Sequence, residues 1–255
     1  MRSGSESEED VVMQTGVRFA IVRSLDVVAA VATLIIVAIV LRMAWLNYQQ
    51  SPMAAQEKAM ASDESASRLI GQVVAIGQRV REHASAKAVI LEFSDFQCQY
   101  CRSYGRNLYP TVVSELVESG KADYAYRHFP IESLHGKALL AGQAAECAGE
   151  QERFWDMHDV LFKEPVTDDQ IMRHVQTLRL NEEAFNACLR QGDAGVRVKA
   201  DLADARRLGI MGTPTFLIGR KVADGKMKVV RMIEGSPALR VLTEAVDEAL
   251  KAMGA

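Results

Sequence analysis

The longest apolar stretch runs from Val27 to Leu41 (VVAAVATLIIVAIVL), where Thr33 is the one polar residue. Carried out to Leu25 and Leu46 it reaches 22 residues, with Asp26 and Arg42 as its charges. At about 1.5 Å per residue such a helix is roughly 33 Å long, enough for a hydrocarbon core of about 30 Å. A helix buried in a soluble core would still carry a polar stripe, and this stretch has none. Arg42 can snorkel, and Trp45 and Tyr48 suit a membrane interface. The expectation is one transmembrane helix over 25–46, kept as an anchor, behind a polar tail at 1–24. A cleaved signal peptide is the alternative, with Ala54 and Ala55 as a weak cleavage site. Arg18 and Arg23 before the span offset Arg42 and Lys58 at or after it, so charge leaves the orientation open. Residues 47–69 are rich in Ala, Ser, Gln and Glu without aliphatic periodicity, and read as a spacer.

Past the spacer the pattern changes to short elements. Ala88–Phe93 (AVILEF) is an apolar run with β-branched residues, which predicts a buried strand. Leu108, Val112, Leu116 and Val117 recur at helical spacing across Asn107–Ser119, and Gly120 suits the end of that helix. Ala122–Phe129 reads as a second strand, halted by Pro130. From about Ser133 to Leu208 the pattern is helical, in pieces at Ala138–Ala148, Phe154–Phe162, Asp168–Leu178, Glu182–Leu189 and Val196–Leu208. Thr167 with Gln170, and Asn181 with Glu182 and Glu183, mark two helix starts. Strand patterns return at Thr215–Ile218 and Lys228–Ile233, and an amphipathic helix runs from about Pro237 to Ala252. This order predicts an α/β domain with a helical block, about 133–208, inserted between two β halves.

Composition narrows the classes without choosing among them. Of 255 residues 49% are hydrophobic and 25% charged, which excludes a disordered or collagen-like chain. The net charge of -3 is evenly spread, so no basic field argues for nucleic acid. Four cysteines are too few for a disulfide-built miniprotein.

The arrangement of the cysteines carries the chemistry. Cys98 and Cys101 stand at i, i+3 where the strand 88–93 gives way to a helix, close enough to bond to each other. At a helix N-terminus the unpaired N–H groups and the dipole favour the Cys98 thiolate, the attacking species in thiol–disulfide exchange. Cys101 would then resolve the mixed disulfide. A zinc half-site needs a second ligand pair, and Cys147 and Cys188 each stand alone, so no metal is expected. His128, His135, His158 and His174 are scattered and read as packing or surface residues; Phe154 and Trp155 read as core. Gly209 and Gly212 read as backbone-geometry glycines flanking the loop at Pro214, since G-x-x-G without a phosphate context is no motif.

From about residue 70 onward the chain resembles the DsbA-like branch of the thioredoxin superfamily. The matching stretches are VILEFSDFQCQYC (89–101), YRHFPIESLH (126–135), AAECAGEQERFWDMHDVLF (144–162) and GIMGTPTFLIGR (209–220). The resemblance implies a thioredoxin fold with an inserted helical domain over 70–255. It also implies thiol–disulfide oxidoreductase activity outside the cytoplasm, with no cofactor beyond the cysteine pair. The implied partners are cysteines of extracytoplasmic proteins and a redox partner that resets the pair. With the anchor, the implied location is the cytoplasmic membrane, catalytic domain on the periplasmic side. Gln99–Tyr100 replaces the Pro-His pair of strongly oxidising members, which leaves oxidase against reductase or isomerase open.

The same resemblance names further residues. Glu92 matches a buried acid beneath the active site, where it would handle the proton of Cys101; the alternative is an exposed strand carboxylate. Thr213–Pro214 matches a cis-proline loop that faces the cysteines and docks an extended substrate. Apart from the resemblance, Cys147 and Cys188 sit on two predicted helices of the insertion, where a structural disulfide would close about 42 residues; the alternative is two buried thiols. A rival from another class is a thioredoxin-like copper chaperone that binds the metal through Cys98 and Cys101, with Met211 as a third soft ligand.

Overall fold

The computed structural model describes residues 30–49, 51, 63–64 and 66–252. The tail 1–24, residues 25–29 of the expected span and most of the spacer lie outside the described residues. The chain divides into two units, Met1–Ala61 and Ser62–Ala255.

In the first unit, helix α1 (Ala30–Gln49) contains an 18-residue window with a mean hydropathy of 2.1 and is long and apolar enough to cross a membrane. It continues through Asn47–Gln49, past the Leu46 boundary expected from sequence. Its large apolar side chains, among them Leu34, Ile36 and Leu41, are exposed. In water that would leave an unusually large apolar surface uncovered; in lipid it is the favoured state.

The second unit is built on a six-stranded sheet of order β1-β6-β5-β3-β4-β2. The strands are β1 (Val73–Ala75), β2 (Arg79–Arg81), β3 (Ala88–Ser94), β4 (Ala122–His128), β5 (Thr215–Val222) and β6 (Lys226–Glu234). β3 pairs in parallel with β4 and antiparallel with β5, and it is buried along its whole length. A strand covered on both faces reads as a continuous apolar run, which is how AVILEF reads apart from Glu92. β1 and β2, three residues each, add edges that the sequence pattern does not announce. β5 and β6 are longer than expected because Asp224 and Gly225, both at positive φ, close them into a hairpin.

Alternation along β3 sends Ala88 and Ile90 to one face, under Tyr104, Leu116 and Leu242, and Val89, Leu91 and Phe93 to the other, under Leu202 and Ala205. Glu92 and Ser94 share the face of Ile90. That face is covered by α2 (Gln99–Asn107), which leaves β3 at the cysteine motif, and by the C-terminal helix α9 (Leu239–Lys251). The single helix expected over Asn107–Ser119 is divided. Leu108 departs from helical φ, α3 (Tyr109–Val112) restarts with Pro110 in its first turn, and a π-helical turn follows at Val113–Val117. Proline has no N–H to continue the preceding turn, and its ring clashes with the carbonyl four residues back.

The helical block comprises α4 (Ala138–Gly149), α5 (Phe154–Lys163), α6 (Asp168–Thr177), α7 (Glu182–Gln191) and α8 (Asp193–Arg207). Thr167 Oγ1 accepts from Gln170 N at 3.1 Å and Asn181 Oδ1 from Ala184 N at 2.8 Å, which fixes two of the starts. Gly192, at φ +85°, turns α7 directly into α8. Cys147 on α4 and Cys188 on α7 are joined by a disulfide with sulfurs 2.02 Å apart. Phe154 is buried, whereas Trp155 is half-buried and packs between the two clusters on this side of the sheet.

Candidate active site

Cys98 is the N-cap of α2, with extended backbone angles (φ −63°, ψ 126°), and its carbonyl accepts the first helical bond from Arg102 N at 2.9 Å. No acidic residue lies in the first turn of α2, so nothing there opposes a negative charge on the sulfur. Cys98 retains 6% of its surface and Cys101 none, and both are free thiols. Only the first is therefore placed to meet a substrate.

The electrostatics separate the two sulfurs further. The Cys101 thiol hydrogen-bonds to Cys98 and is the largest influence on it; burial works against the thiolate. Backbone N–H groups of Cys101 and Tyr100 and the Thr213 side chain add smaller support, and the Cys98 pKa is pushed down to about 5. Burial pushes the Cys101 thiol well up, and the neighbouring Cys98 and Glu92 charges push in the same direction. Arg102 takes no part in this. It reaches away from the sulfurs to the carbonyls of Phe96 (3.3 Å), Leu161 (2.9 Å) and Glu164 (2.8 Å).

Across from α2, the Thr213–Pro214 peptide is cis, and the Thr213 carbonyl accepts from Cys98 Sγ at 3.5 Å. Gly209 has a positive φ of 74° at the start of this loop, while Gly212 does not. Beneath the motif Glu92 is buried, and Tyr124 donates to its Oε2. The Tyr104 hydroxyl stands 3.1 Å from that of Tyr124. Burial raises the Glu92 pKa, outweighing this bond, to about 7.

Several residues of the site were not singled out from the sequence. Asp95 is buried and accepts from Gln97 N, Ile131 N and His135 Nδ1, each at 2.8 Å. It ties the cysteine loop to the loop after β4, and Lys137 N adds a bond to Gln97 Oε1 at 2.6 Å. An Asp just before a helix start is a turn signal that local sequence offers; its partners 36 and 40 residues away are not. Three of the four scattered histidines, His128, His158 and His174, are buried, and His135 sits in the Asp95 cluster. Tyr100, Leu134 and Met211 are exposed apolar residues on the motif, the 130–137 loop and the proline loop.

A cysteine pair at a helix start, facing a cis-proline loop on this sheet, defines a thioredoxin-fold dithiol protein. A family model described as thioredoxin matches residues 75–234, and the chain belongs to that family. The fold is that of the DsbA-type oxidoreductases. The crystal structure of Wolbachia pipientis α-DsbA1 superposes with a TM-score of 0.58 at 21% identity, covering 68% of this chain and 91% of that one. Disulfide bond formation protein D of Bacillus subtilis is 24% identical over 163 residues, 60% of this chain and 72% of the relative. The Na(+)/H(+) antiporter NhaA 3 of Salinispora tropica is 32% identical over 145 residues, 56% of this chain but only 22% of the antiporter's length.

Proposed function

We propose that this protein is a membrane-anchored thiol–disulfide oxidoreductase acting on cysteines of extracytoplasmic proteins. One observation carries the reading: two adjacent free thiols at a helix start beside a cis-proline loop, with opposite acidities, Cys98 keeping 6% of its surface and pushed down to about 5, Cys101 fully buried and raised. Cys98 thiolate attacks a substrate disulfide, or a reduced substrate attacks the oxidised pair at Cys98. Either way the intermediate is a mixed disulfide on Cys98. In the reducing direction Cys101 then displaces the substrate sulfur and closes the Cys98–Cys101 bond; in the oxidising direction a second substrate thiol displaces Cys98 and leaves the pair reduced, and Glu92, near neutrality in its acidity, takes up or returns the Cys101 proton in the two cases. The Thr213 backbone beside Cys98 is offered to an extended substrate, and Pro214, whose carbonyl accepts from Gly235 N at 2.8 Å, holds that backbone in place through its cis bond.

Helix α1 supports a single-pass anchor, and the Cys147–Cys188 disulfide supports an oxidising compartment, hence a periplasmic catalytic domain. A membrane or soluble redox partner would reset the pair, and no metal or organic cofactor enters the reaction. Copper binding through Cys98, Cys101 and Met211 is less well supported, because Cys101 is fully buried and a metal would need both sulfurs deprotonated.

The deciding experiment is the reduction potential of the full chain against glutathione, with turnover on a reduced, unfolded disulfide protein. Turnover abolished by Cys98→Ser supports the reading. Stoichiometric copper binding without turnover overturns it. A reporter fused after Ala255 that works only in the cytoplasm would overturn the topology.

A further inference from the structure

When Cys101 attacks a mixed disulfide, its thiol proton must leave a site with no exposed surface. Glu92 is a buried carboxylate whose charge acts on Cys101, but its Oε2 is occupied by the Tyr124 hydroxyl. The other oxygen, Oε1, is buried and has no hydrogen-bond partner among the described residues. Two further buried oxygens are in the same condition, Ser94 Oγ and the Tyr126 hydroxyl. Leaving such groups unpaired costs roughly 1–3 kcal/mol each, so three together call for an explanation.

The strand register brings them to one place. Ser94 follows Glu92 by two residues on β3 and lies on the same face, and Tyr126 is the cross-strand partner of Glu92 on β4. Tyr126 packs in the same buried cluster as Cys98, Cys101 and Phe96. Ser94 Oγ, Glu92 Oε1 and the Tyr126 hydroxyl are thus unpaired oxygens on the sheet face that α2, with Cys101, covers; burial pushes Glu92, Cys101 and Tyr126 all upward in pKa, and the Ser94 hydroxyl pulls each of them back.

We propose that Ser94 is a hydroxyl relay between Cys101 and Glu92. The proposal rests on the oxidoreductase reading above. Ser94 Oγ accepts the Cys101 proton and passes its own to Glu92 Oε1, which becomes a neutral carboxylic acid. The Cys101 thiolate bonds to Cys98 Sγ, the bond between Cys98 and the substrate sulfur breaks, and the substrate leaves as a thiolate. Charge balances, with one anion before the step on Glu92 and one after it on the substrate. No oxidant is needed beyond the mixed disulfide itself.

The relay moves the proton of Cys101 and not that of Cys98, so removal of Ser94 should divide the two half-reactions. The test uses the full chain in detergent, reduced and then mixed with oxidised glutathione. Acid quenching and mass spectrometry follow the glutathione adduct on Cys98 and its resolution by Cys101. For Ser94→Ala near pH 7 we expect resolution slowed on the order of tenfold to a hundredfold, the loss of one proton-transfer group. Alkylation of Cys98 and its pH midpoint should not change, and Ser94→Thr, which keeps the hydroxyl on a residue suited to a strand, should restore the rate. Resolution by Ser94→Ala within about twofold of the unsubstituted rate would overturn the relay. So would an equal slowing of attack and resolution, or a Ser94→Thr that stays as slow as Ser94→Ala. If the unsubstituted protein never resolves the adduct, the oxidoreductase reading itself falls, which is a different result from a loss confined to Ser94→Ala.

Discussion

Cys98 and Thr213 are 115 residues apart in the chain, and the thiol of one donates to the carbonyl of the other at 3.5 Å. This contact closes the site, setting the nucleophile against the backbone that would hold its substrate. It comes from the loop before β5, whereas Cys101 stands on α2, so substrate docking and resolution reach the sulfur from different elements.

Trapping should follow that division. Cys101→Ser is expected to accumulate mixed disulfides through Cys98, because the resolving thiol is gone. Cys98→Ser should accumulate few and lose turnover. Non-reducing gels of the two variants, after exposure to extracytoplasmic extract, give the comparison, and equal trapping would reverse the assigned roles.

The acidity of Cys98 has a direct readout. Its alkylation rate should rise with pH to a plateau with a midpoint near 5, far below that of an ordinary thiol. Cys101→Ala removes the largest stabilising partner of the thiolate, so the midpoint should move upward. An unchanged midpoint would assign the low value to the helix N-terminus alone.

Glu92 makes stability depend on pH in a defined direction. Its folded pKa of about 7 stands above the ordinary 4.5. The native state therefore favours the protonated form, and stability is fully present below about pH 4.5 and lost as pH rises through 7. The loss is on the order of 3 kcal/mol at about 1.4 kcal/mol per unit. Glu92→Gln cannot ionise, so relative to the unsubstituted protein it should gain stability between pH 5 and pH 8. Thermal melts of the reduced protein at those two values test the sign.

Tyr100→His should make the Cys98–Cys101 pair more oxidising. Neither Gln99 nor Tyr100 carries a positive charge, and Arg102 is engaged with three carbonyls away from the sulfurs. The unsubstituted pair is expected between about −270 and −120 mV, the range from thioredoxin to the strongest oxidant of this chemistry. Equilibration of both proteins with glutathione measures the shift, and no shift on substitution would sink the argument.

The Cys147–Cys188 bond closes a sequence separation of 41 residues, for which chain entropy gives roughly 4 kcal/mol. Replacing both with Ala should lower the melting temperature by about 10 °C while leaving the Cys98 alkylation midpoint in place. Recovery of both residues as free thiols from protein made in an oxidising compartment would remove the basis of this prediction.

Much of the fold is legible because its signals are local. AVILEF, the i, i+3 cysteines, the Thr167 and Asn181 caps and the returning strands after Leu208 each sit within a few residues of their cause. β1 and β2 are not legible, since VVA and RVR are too short to show a period and exist through pairing with Lys226–Lys228 and Tyr124–Tyr126. The Leu108 break was readable from Pro110, and the hairpin from Asp224–Gly225, but helical spacing in one case and short apolar runs in the other obscured them. At the site, Cys98 and Cys101 are local, whereas the partners of Asp95 and the crowding around Glu92 are products of topology. Ser94 shows only as the second residue of a strand alternation, a position with no chemical signature until β4 is laid beside it.

Arg102 bears on how this fold can be rearranged. One guanidinium nitrogen clasps a carbonyl from the cysteine loop and two from the end of α5. The five-helix insertion is therefore not a module that can be exchanged by cutting at its two chain crossings. A chimera carrying another insertion must also supply acceptors at the places of the Leu161 and Glu164 carbonyls. Without them a half-buried cation next to the cysteine motif loses two of its three carbonyl partners, and grafts that ignore it should lose stability before they reveal anything about catalysis.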